Sequence, residues 1–345
     1  MPASPSRPGS LRLALVRQRY TPFGGAERFV ARALEALRAQ GVEVTLVTRH
    51  WKGAEAVLRC DPFHLGSLWR DWSFARCVCR TLEDHPFDLV QSHERLPCCD
   101  LYRAGDGVHR VWLAQRARLR GWPDRLWQAL SPYHRYLLAA ERRLFESPRL
   151  KAVICNSRMV RDEILAHFAI EPAKLHVIYS GVDLDRFQPA DVGRRMAARR
   201  ELGLPAQATV FLFLGSGYER KGLATTLAAF ARLADPGAHL LVVGRDRHQA
   251  RYQRLARRLG CAPRVHFLGP REAVLPCYHA ADALVLPTLY DPFPNVALEA
   301  LACGLPVVTS TKSGAAEVLE EGQTGFVRDA LDVPGVADAL ARLLD

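Results

Sequence analysis

The sequence predicts an α/β protein in which two doubly wound, Rossmann-like domains face a central cleft. Two observations support the fold class. Apolar runs of strand length alternate with helical segments in both halves of the chain, and a glycine pair follows the first apolar run. The length of 345 residues corresponds to about two domains of ordinary size. With 49% hydrophobic and 24% charged residues, the composition excludes a disordered chain.

The first half of the chain opens on a βαβ pattern. The predicted order is strand, glycine pair, helix and strand, at 11–16, Gly24 and Gly25, 26–39 and 42–47. Further strands are predicted at 87–92, 151–155 and 176–179. The segment 103–149 differs because it is helical in pattern and rich in arginine and aromatic residues. We therefore expect an N-terminal Rossmann-like domain over 10–179, with 103–149 as an insertion in it.

Apolar runs of strand length recur more regularly in the second half of the chain. Apolar runs that predict strands lie at 209–214, 238–243, 264–268, 283–286 and 306–308. The polar stretch 180–189 precedes them, so a second doubly wound, C-terminal domain is expected over 180–345. Open parallel sheets bind ligands beyond the carboxyl ends of their strands. The loops after these runs are therefore the places where functional residues are expected.

The loop after the run 209–214 contains two adjacent cations, Arg220 and Lys221, ahead of a predicted helix. It has neither the Gly-Lys-Ser/Thr of a Walker loop nor the third glycine of a dinucleotide fingerprint. Two cations beside a helix N-terminus predict a site for a diphosphate. The alternative is a solvated turn with two surface cations.

The loop after the run 283–286 contains a pair of acids, Asp291 and Glu299. Asp291 is expected in the loop and Glu299 in a helix that begins near Asn295. A loop carboxylate can accept hydrogen bonds from sugar hydroxyls, and one further along the helix can hold a ribose diol. The backbone N–H groups of Asn295 and Val296 remain for phosphate.

This pattern resembles the retaining GT-B glycosyltransferases of family 4, which carry two acids seven residues apart and a Phe-Pro-Asn-Val variant before the second acid. Four further segments are similar to markers of that family, at Gly24 to Glu27, Asn156 to Arg158, Ser180 to Asp183 and Arg220 to Gly222. The resemblance implies that the domain over 10–179 binds the acceptor and that the domain over 180–345 binds the nucleotide sugar. It also implies that Gly24 and Gly25 belong to the donor site. Asp291 stands where the family usually has glutamate, which is expected to alter recognition of the donor sugar. Family members also usually continue into a helix that crosses back to the N-terminal domain, and without one we expect domain closure to be less tethered.

Within the family, three segments resemble the lipopolysaccharide-core glucosyltransferases, at 19–25, 100–106 and 133–145. The resemblance implies transfer of a hexose, with UDP-glucose as the expected donor, to the inner core of lipopolysaccharide or a related glycolipid at the cytoplasmic membrane face. A capsule, O-antigen or exopolysaccharide acceptor and another donor are alternatives. Outside the class, a sugar-nucleotide epimerase and a basic nucleic-acid binder are the rival functions, although no nucleic-acid-binding motif is present.

The implied reaction retains the anomeric configuration. Arg220 and Lys221 are expected to stabilise the departing diphosphate. No metal or resident cofactor is expected, because the chain has no Asp-x-Asp motif and its cysteines lack zinc-site spacing. Asp100 is a candidate for orienting or deprotonating the acceptor hydroxyl, and a helix cap or loop carboxylate is its alternative role.

The formal charge of +11 points to an anionic partner. The segment 103–149 holds ten arginines and four acids. We expect it to bind an anionic membrane through Arg116, Arg118, Arg120, Trp112, Trp122 and Trp127. The alternative is that these helices pack on the domain while their arginines face water.

The expected location is the cytosol, peripheral to the membrane, because the sequence shows no signal peptide and no apolar run long enough to span a bilayer. The nine cysteines are scattered through the chain rather than spaced as a disulfide framework. We therefore expect reduced, mostly buried thiols.

Overall fold

The computed structural model describes residues 10–18, 34–51, 56–119, 121, 128 and 130–344. The chain divides into two compact units. The first comprises Met1–Asn156 and Val160–Ile178, and the second comprises Ser157–Met159 and Tyr179–Asp345. Both are built on parallel sheets flanked by helices.

The first unit contains a seven-stranded parallel sheet in the order β3-β2-β1-β4-β5-β6-β7. Its strands are β1 (Arg12–Val16), β2 (Glu43–Thr48), β3 (Val57–Arg59), β4 (Leu89–Ser92), β5 (Leu101–Arg103), β6 (Ala152–Cys155) and β7 (Leu175–Val177). The helices described in this unit are α1 (Gly66–Asp84), α2 (His109–Ala117), α3 (Pro132–Phe145) and α4 (Arg158–His167), whose first two residues belong to the second unit. Residues 34–39 are also helical. A 3-10 turn, Pro172–Lys174, precedes β7.

Burial follows the sequence pattern in these elements. Four of the five residues of β1 are buried, as expected for a central strand covered on both faces. In α1, buried Phe74, Val78 and Leu82 recur every four residues and so form one apolar face. This face holds the helix on the unit.

The second unit contains a six-stranded parallel sheet in the order β10-β9-β8-β11-β12-β13. Its strands are β8 (Thr209–Leu214), β9 (Ala238–Val243), β10 (Val265–Gly269), β11 (Ala283–Leu286), β12 (Val307–Ser310) and β13 (Gly325–Arg328). Its helices are α5 (Val192–Glu201), α6 (Tyr218–Lys221), α7 (Leu223–Phe230), α8 (Gln249–Arg258), α9 (Leu275–Ala280), α10 (Asn295–Ala302) and α11 (Val333–Ala341). The 3-10 turns are Ala262–Arg264 and Gly314–Val318. Two buried clusters, one on each side of the sheet strands, form its core.

Both sheets reverse their strand order at one point. In the first sheet the reversal lies between β1 and β4, and in the second it lies between β8 and β11. Loops that leave two such strands run in opposite directions and leave a crevice at the carboxyl edge. These two crevices are where the fold favours ligand binding.

The predicted fold class is confirmed, and each predicted strand has a counterpart within two residues at either end. The helix predicted at 26–39 is described only over 34–39. Three strands were not predicted, namely β3, β5 and β13, because they have only three or four residues and short runs carry little periodicity.

The prediction that the cysteines are reduced was wrong for two of them. Cys79 in α1 and Cys98 in the loop after β4 form a disulfide, with their Cα atoms 5.8 Å apart. The other seven are free, and all of these except Cys77 are buried. The packing of α1 beside the end of β4 brings the bonded pair together, and spacing along the chain carries no signal of such a contact.

Within the part of the chain that the structure describes, no helix is both long enough and apolar enough to cross a membrane.

Candidate functional site

Three charged side chains meet at the carboxyl edge of the second sheet. Arg220 and Lys221 lie on α6, directly after β8, and Asp291 lies in the loop after β11. The Lys221 Nζ donates to Asp291 Oδ2 at 2.5 Å, and the Arg220 guanidinium donates to the same oxygen at 2.9 Å. We call these three residues the charged cluster. Because β8 and β11 are the strands at which the order reverses, the cluster occupies the crevice that the topology provides.

Backbone contacts fix the two loops that carry the charged cluster. The carbonyl of Arg220 accepts from the Leu289 N–H at 2.8 Å and from the Thr288 hydroxyl at 2.9 Å. On the other side, the N–H of Asp291 donates to the Lys312 carbonyl at 2.9 Å. These bonds hold the cations and the acid in one place before any ligand arrives.

Gly222 separates α6 from α7 and is required there. Its φ of +82° lies in the left-handed region, and a Cβ at this position would lie 1.9 Å from the Pro287 carbonyl oxygen. Only glycine allows this approach between the loop after β8 and the end of β11. The backbone break at Gly222 leaves Arg220 and Lys221 on a short helix of their own, whereas the sequence predicted them beside the start of one longer helix.

The charged cluster carries two cations and one acid. Burial alone would raise the pKa of the Asp291 carboxyl, but its attraction to Lys221 and Arg220 outweighs burial, so the pKa lies below its usual value. Burial lowers the pKa of the Lys221 ammonium, and Asp291 offsets part of that effect. An ionised carboxylate between two cations leaves one positive charge in excess, which favours an anionic ligand.

Glu299 lies on α10, which begins at Asn295 as the sequence predicted. Its side chain is buried, and Oε2 accepts a hydrogen bond from the Tyr278 hydroxyl at 2.7 Å. Asn295 and Val296 form the first turn of α10, where backbone N–H groups lack partners within the helix. Contacts of Glu299 with ribose and of this turn with phosphate stay predictions.

Tyr278 was not among the predicted site residues. It lies on α9, is buried, and fixes Glu299 through its hydroxyl. A tyrosine inside an apolar helix is typical of core packing, so the sequence offered no signal for this contact.

Asp100 lies at the amino end of β5, away from the carboxyl edge where the sheet favours ligands. Its Oδ2 accepts from the Val90 N–H at 2.9 Å, and its Oδ1 is 3.2 Å from the Lys151 Nζ. Two further aspartates bind a neighbouring strand in the same way: Asp88 accepts from the Arg12 N–H and Asp282 from the Val210 N–H. This recurrence favours the structural role of Asp100 over the predicted role in acceptor activation.

The predicted membrane segment is described only in part. Trp112 and Arg116 are partly exposed on α2, and Arg118 just beyond it is exposed. The alternative, that these helices pack on the domain, is supported by four buried apolar residues, Val111, Leu137, Ala140 and Leu144. Arg120, Trp122 and Trp127 lie outside the described residues, as do Gly24 and Gly25.

The first unit also has an exposed apolar surface that the sequence analysis did not predict. It lies at and before the start of α1, where Phe63, Leu65, Trp69 and Trp72 are exposed. We call these four residues the α1 patch. The rings of Phe63 and Trp69 pack edge to face, with centroids 5.5 Å apart. Exposed aromatic groups this close together are typical of an interaction surface.

Comparison with known proteins assigns the chain to a family. A family model described as Glycosyltransferase Family 4 matches residues 23–186, and one described as Glycosyl transferases group 1 matches residues 208–345. The chain is a glycosyltransferase that carries a family 4 domain followed by a group 1 domain. Its two parallel-sheet Rossmann-like domains are the GT-B fold of these enzymes.

Individual relatives of this glycosyltransferase differ in the reactions their names describe. It is 29% identical to the lipopolysaccharide glucosyltransferase WaaG of Escherichia coli (strain K12), over 91% of this chain and 84% of that protein. It is 28% identical to the D-inositol 3-phosphate glycosyltransferase of Mycolicibacterium smegmatis, over 93% of this chain and 79% of that protein. Among solved structures, WaaG superposes with a TM-score of 0.84 at 26% identity, covering 96% of this chain and 90% of that chain.

Proposed function

We propose that this glycosyltransferase moves a hexose from a nucleotide diphosphate sugar, with UDP-glucose as the donor, to the inner core of lipopolysaccharide or a related glycolipid. The observation that carries the proposal is the charged cluster with its excess positive charge at the carboxyl edge of the second sheet. The similarity to WaaG, a lipopolysaccharide glucosyltransferase, supports glucose as the transferred sugar and lipopolysaccharide as the acceptor class.

In the proposed reaction, negative charge builds up on the diphosphate as it leaves the sugar. Arg220 and Lys221 stabilise that charge from fixed positions, so little reorganisation is needed when the bond breaks. Lys221 has three N–H donors, and its bond to Asp291 uses one of them. The others are available to phosphate oxygens, while Asp291 accepts from hydroxyls of the transferred sugar.

The two cations supply the electrostatic stabilisation that a divalent ion supplies in other transferases, so the proposal requires no metal. Retention of configuration follows if the acceptor attacks from the face that the diphosphate leaves. The departing phosphate oxygen then takes the proton of the acceptor hydroxyl, and no protein carboxylate has to form a covalent intermediate. This route fits the structural role of Asp100, because no base is needed at that position.

A donor and acceptor screen tests the proposal. Purified protein is incubated with UDP-glucose, UDP-galactose, ADP-glucose or GDP-mannose, with a deacylated lipopolysaccharide core or inositol 3-phosphate as acceptor, with and without EDTA. We expect mass spectrometry to detect one added hexose on the core with UDP-glucose, unaffected by EDTA, and NMR to show an α-linkage. Transfer to inositol 3-phosphate alone, loss of transfer with EDTA, or a β-linkage contradicts the corresponding part of the proposal.

We also propose that the first unit binds the cytoplasmic face of an anionic membrane. Arg116 on α2 and Arg118 just beyond it supply charge attraction, at about 1 kcal/mol for each basic residue near an anionic surface. The α1 patch supplies aromatic groups that favour the interfacial region. A lipid-linked acceptor makes such recruitment useful because it confines enzyme and acceptor to one surface.

Vesicle co-sedimentation tests this second proposal. We expect binding to vesicles that contain phosphatidylglycerol, little binding to phosphatidylcholine, and loss of binding with added salt. Replacing Arg116 and Arg118 with Gln should weaken binding, whereas replacing Arg257 and Arg258 on α8 should not. Equal binding to neutral and anionic vesicles, or binding to neither, contradicts the proposal.

A further inference from the structure

The short helix α6 carries Arg220 and Lys221 but is too short to be stable by itself. It has four residues and is bounded by Gly217 and Gly222, both in the left-handed region. A single helical turn is unfavourable in isolation, because nucleation fixes several dihedral angles for one hydrogen bond. The orientation of α6, and with it the position of the two cations, therefore depends on neighbouring loops.

Two loops hold the ends of α6. The loop after β11 binds its last turn, as described above, and the loop after β9 binds its start. The Gly217 N–H donates to the Arg245 carbonyl at 3.1 Å, and the Arg245 N–H donates to Ser216 Oγ at 3.1 Å. The Tyr218 hydroxyl donates to the Gly244 carbonyl at 3.0 Å. We call the contacts of residues 216–218 with residues 244–246 the loop clasp.

The loop clasp depends on a close approach between two backbones. Gly244 has a φ of +134°, and a Cβ there would lie 2.3 Å from the Gly215 carbonyl oxygen. No other residue fits without moving one of the two loops. The strands that precede these loops, β8 and β9, are hydrogen-bonded neighbours in the sheet, so the clasp starts from a fixed pair of strand ends.

Asp246 closes the loop clasp with its side chain. Its Oδ2 accepts from the Tyr218 N–H at 2.7 Å, and its Oδ1 accepts from the His248 N–H at 2.7 Å. Tyr218 is the first residue of α6, where N–H groups lack partners within the helix, and the preceding Gly217 has no side chain to bind them. Hydrogen bonds from N–H groups to a carboxylate are among the stronger ones in proteins. Asp246 thus ties the start of α6 to the neighbouring strand end.

A continuous path of hydrogen bonds leads from the loop clasp to Lys221. The Lys221 N–H donates to the Gly217 carbonyl at 3.1 Å, and the Gly217 N–H donates to the Arg245 carbonyl. The Lys221 side chain also runs back over this loop, with its Cε 3.2 Å from the place of a Cβ on Gly215. A fixed charge stabilises a transition state only where it is already in place, and a displacement of about 1 Å can lower a rate about a hundredfold.

We propose that Asp246 is a positioning residue for sugar transfer, which fixes α6 through the Tyr218 N–H and thereby places Lys221 at the departing diphosphate. The inference rests on the proposed function, because it is there that Lys221 acts on the diphosphate. Asp246 itself touches no substrate in this role. Since Lys221 acts as negative charge builds up, loss of Asp246 should lower kcat and leave the acceptor KM unchanged.

Steady-state kinetics of Asp246→Ala and Asp246→Asn test the inference. Alanine removes both hydrogen bonds, so kcat should fall at least tenfold, with the acceptor KM within about twofold of wild type. Asparagine keeps one acceptor oxygen for the Tyr218 N–H, so kcat should fall only about threefold. The matched control is Asp191→Ala, which removes a bond of the same length, 2.7 Å, from the Arg194 N–H at the start of α5. Because α5 contacts Asp282, ahead of β11, at the other edge of the sheet, the control should leave kcat within about twofold of wild type.

A double variant shows whether Asp246 acts through Lys221. Lys221→Met alone should lower the rate about a hundredfold. Independent effects would multiply to about a thousandfold in the double variant with Asp246→Ala, whereas a residue that acts through Lys221 should add less than about threefold. Losses that multiply, or an unchanged kcat in Asp246→Ala, overturn the inference.

Hydrogen–deuterium exchange, followed by mass spectrometry, measures the loop clasp without turnover. Exchange in peptides that cover residues 216–222 should rise at least threefold in Asp246→Ala and stay unchanged in Asp191→Ala. Unchanged exchange in Asp246→Ala overturns the inference. Faster exchange together with a wild type that transfers no hexose contradicts the proposed function and leaves the role of Asp246 in holding α6 intact. Circular dichroism confirms the folding of each variant, and Asp246→Asn carries the test where alanine does not fold.

Discussion

The two sheets of this chain reverse strand order in the same way, yet the crevices at the two reversal points carry different charges. The charged cluster in the second unit has two cations and one acid, all within hydrogen-bond distance. The first-unit pocket, a cavity of about 250 Å³ beside the ends of β1 and β4, has three cations and three acids among its described lining residues. The same topology thus supplies two sites, and the local charge balance decides which chemical class of ligand each one favours.

The difference also concerns how each site is held in place. Backbone hydrogen bonds between loops hold the charged cluster, including those from Leu289 to Arg220 and from Asp291 to Lys312. Side-chain bonds organised by Asp71 hold the pocket. Substitutions in the cluster should therefore change the chemistry while leaving the loops in place, whereas substitutions in the pocket should change its shape.

The largest expected effect is that of Lys221→Met on the charged cluster. Methionine keeps the apolar stem that packs beside Gly215 but removes the ammonium. The rate of transfer should fall about a hundredfold or more, as when one fixed electrostatic donor is lost. Steady-state kinetics measure it, with Arg232→Met as a control that removes an exposed cation from the same unit. Activity within a few-fold of wild type would remove Lys221 from the proposed mechanism.

The second prediction concerns acid stability and compares histidine pairs in the two units. The His109 Nε2 on α2 and the His134 Nδ1 on α3 lie 3.1 Å apart. Burial above all, and also the charges of Arg95 and His134, lower the pKa of His109 to about 3. This pKa lies below that of a histidine in the unfolded chain. The free energy of unfolding is therefore highest above pH 6.5 and decreases as the pH falls towards 3. The loss should be about 2 kcal/mol between pH 6.5 and 5, at about 1.4 kcal/mol per pH unit.

Thermal unfolding of wild type and His109→Gln across this pH range measures the effect. The variant should show the weaker pH dependence. His239→Gln is the matched change in the second unit, where His239 and His266 lie 2.9 Å apart but are partly exposed. It should alter the pH dependence less, and an equal or larger effect there contradicts the comparison.

Glu299→Gln should lower kcat/KM for the donor about tenfold, because an amide accepts hydrogen bonds from a ribose diol less strongly than a carboxylate does. Tyr278→Phe removes the hydroxyl that donates to Glu299. A smaller loss in Tyr278→Phe is expected if the carboxylate itself binds the donor. Equal losses would show that Glu299 serves mainly to hold Tyr278.

The smallest expected effect is that of Asp291→Glu, which restores the residue usual in the family. The extra methylene moves the carboxylate towards the sugar, so relative rates with UDP-glucose and UDP-galactose should change severalfold. UDP affinity, measured by calorimetry, should change less than the donor profile, because the substitution keeps the negative charge beside Arg220 and Lys221. A changed UDP affinity with an unchanged donor profile would place Asp291 at the diphosphate instead.

The sequence by itself determined the fold class and the positions of the charged cluster along the chain. Strands such as β8 and β11 are long enough for their apolar character to be read directly, and the rule for parallel sheets then points to the loops that follow them. The strand β4 was also predicted, so the same rule points to Glu94, in the loop after it, as a candidate site residue.

Tertiary structure decided the contacts between residues that are distant in sequence. The bonds from Tyr278 to Glu299 and from Tyr133 to Asp71, and the disulfide between Cys79 and Cys98, join separate elements. A residue pattern shows the periodicity of one element, and it does not show which elements pack together. The grouping of charges at the reversal point of the first sheet is of this kind, because they come from the loops after β1, β4 and β5 and from α1, which meet only in the folded chain.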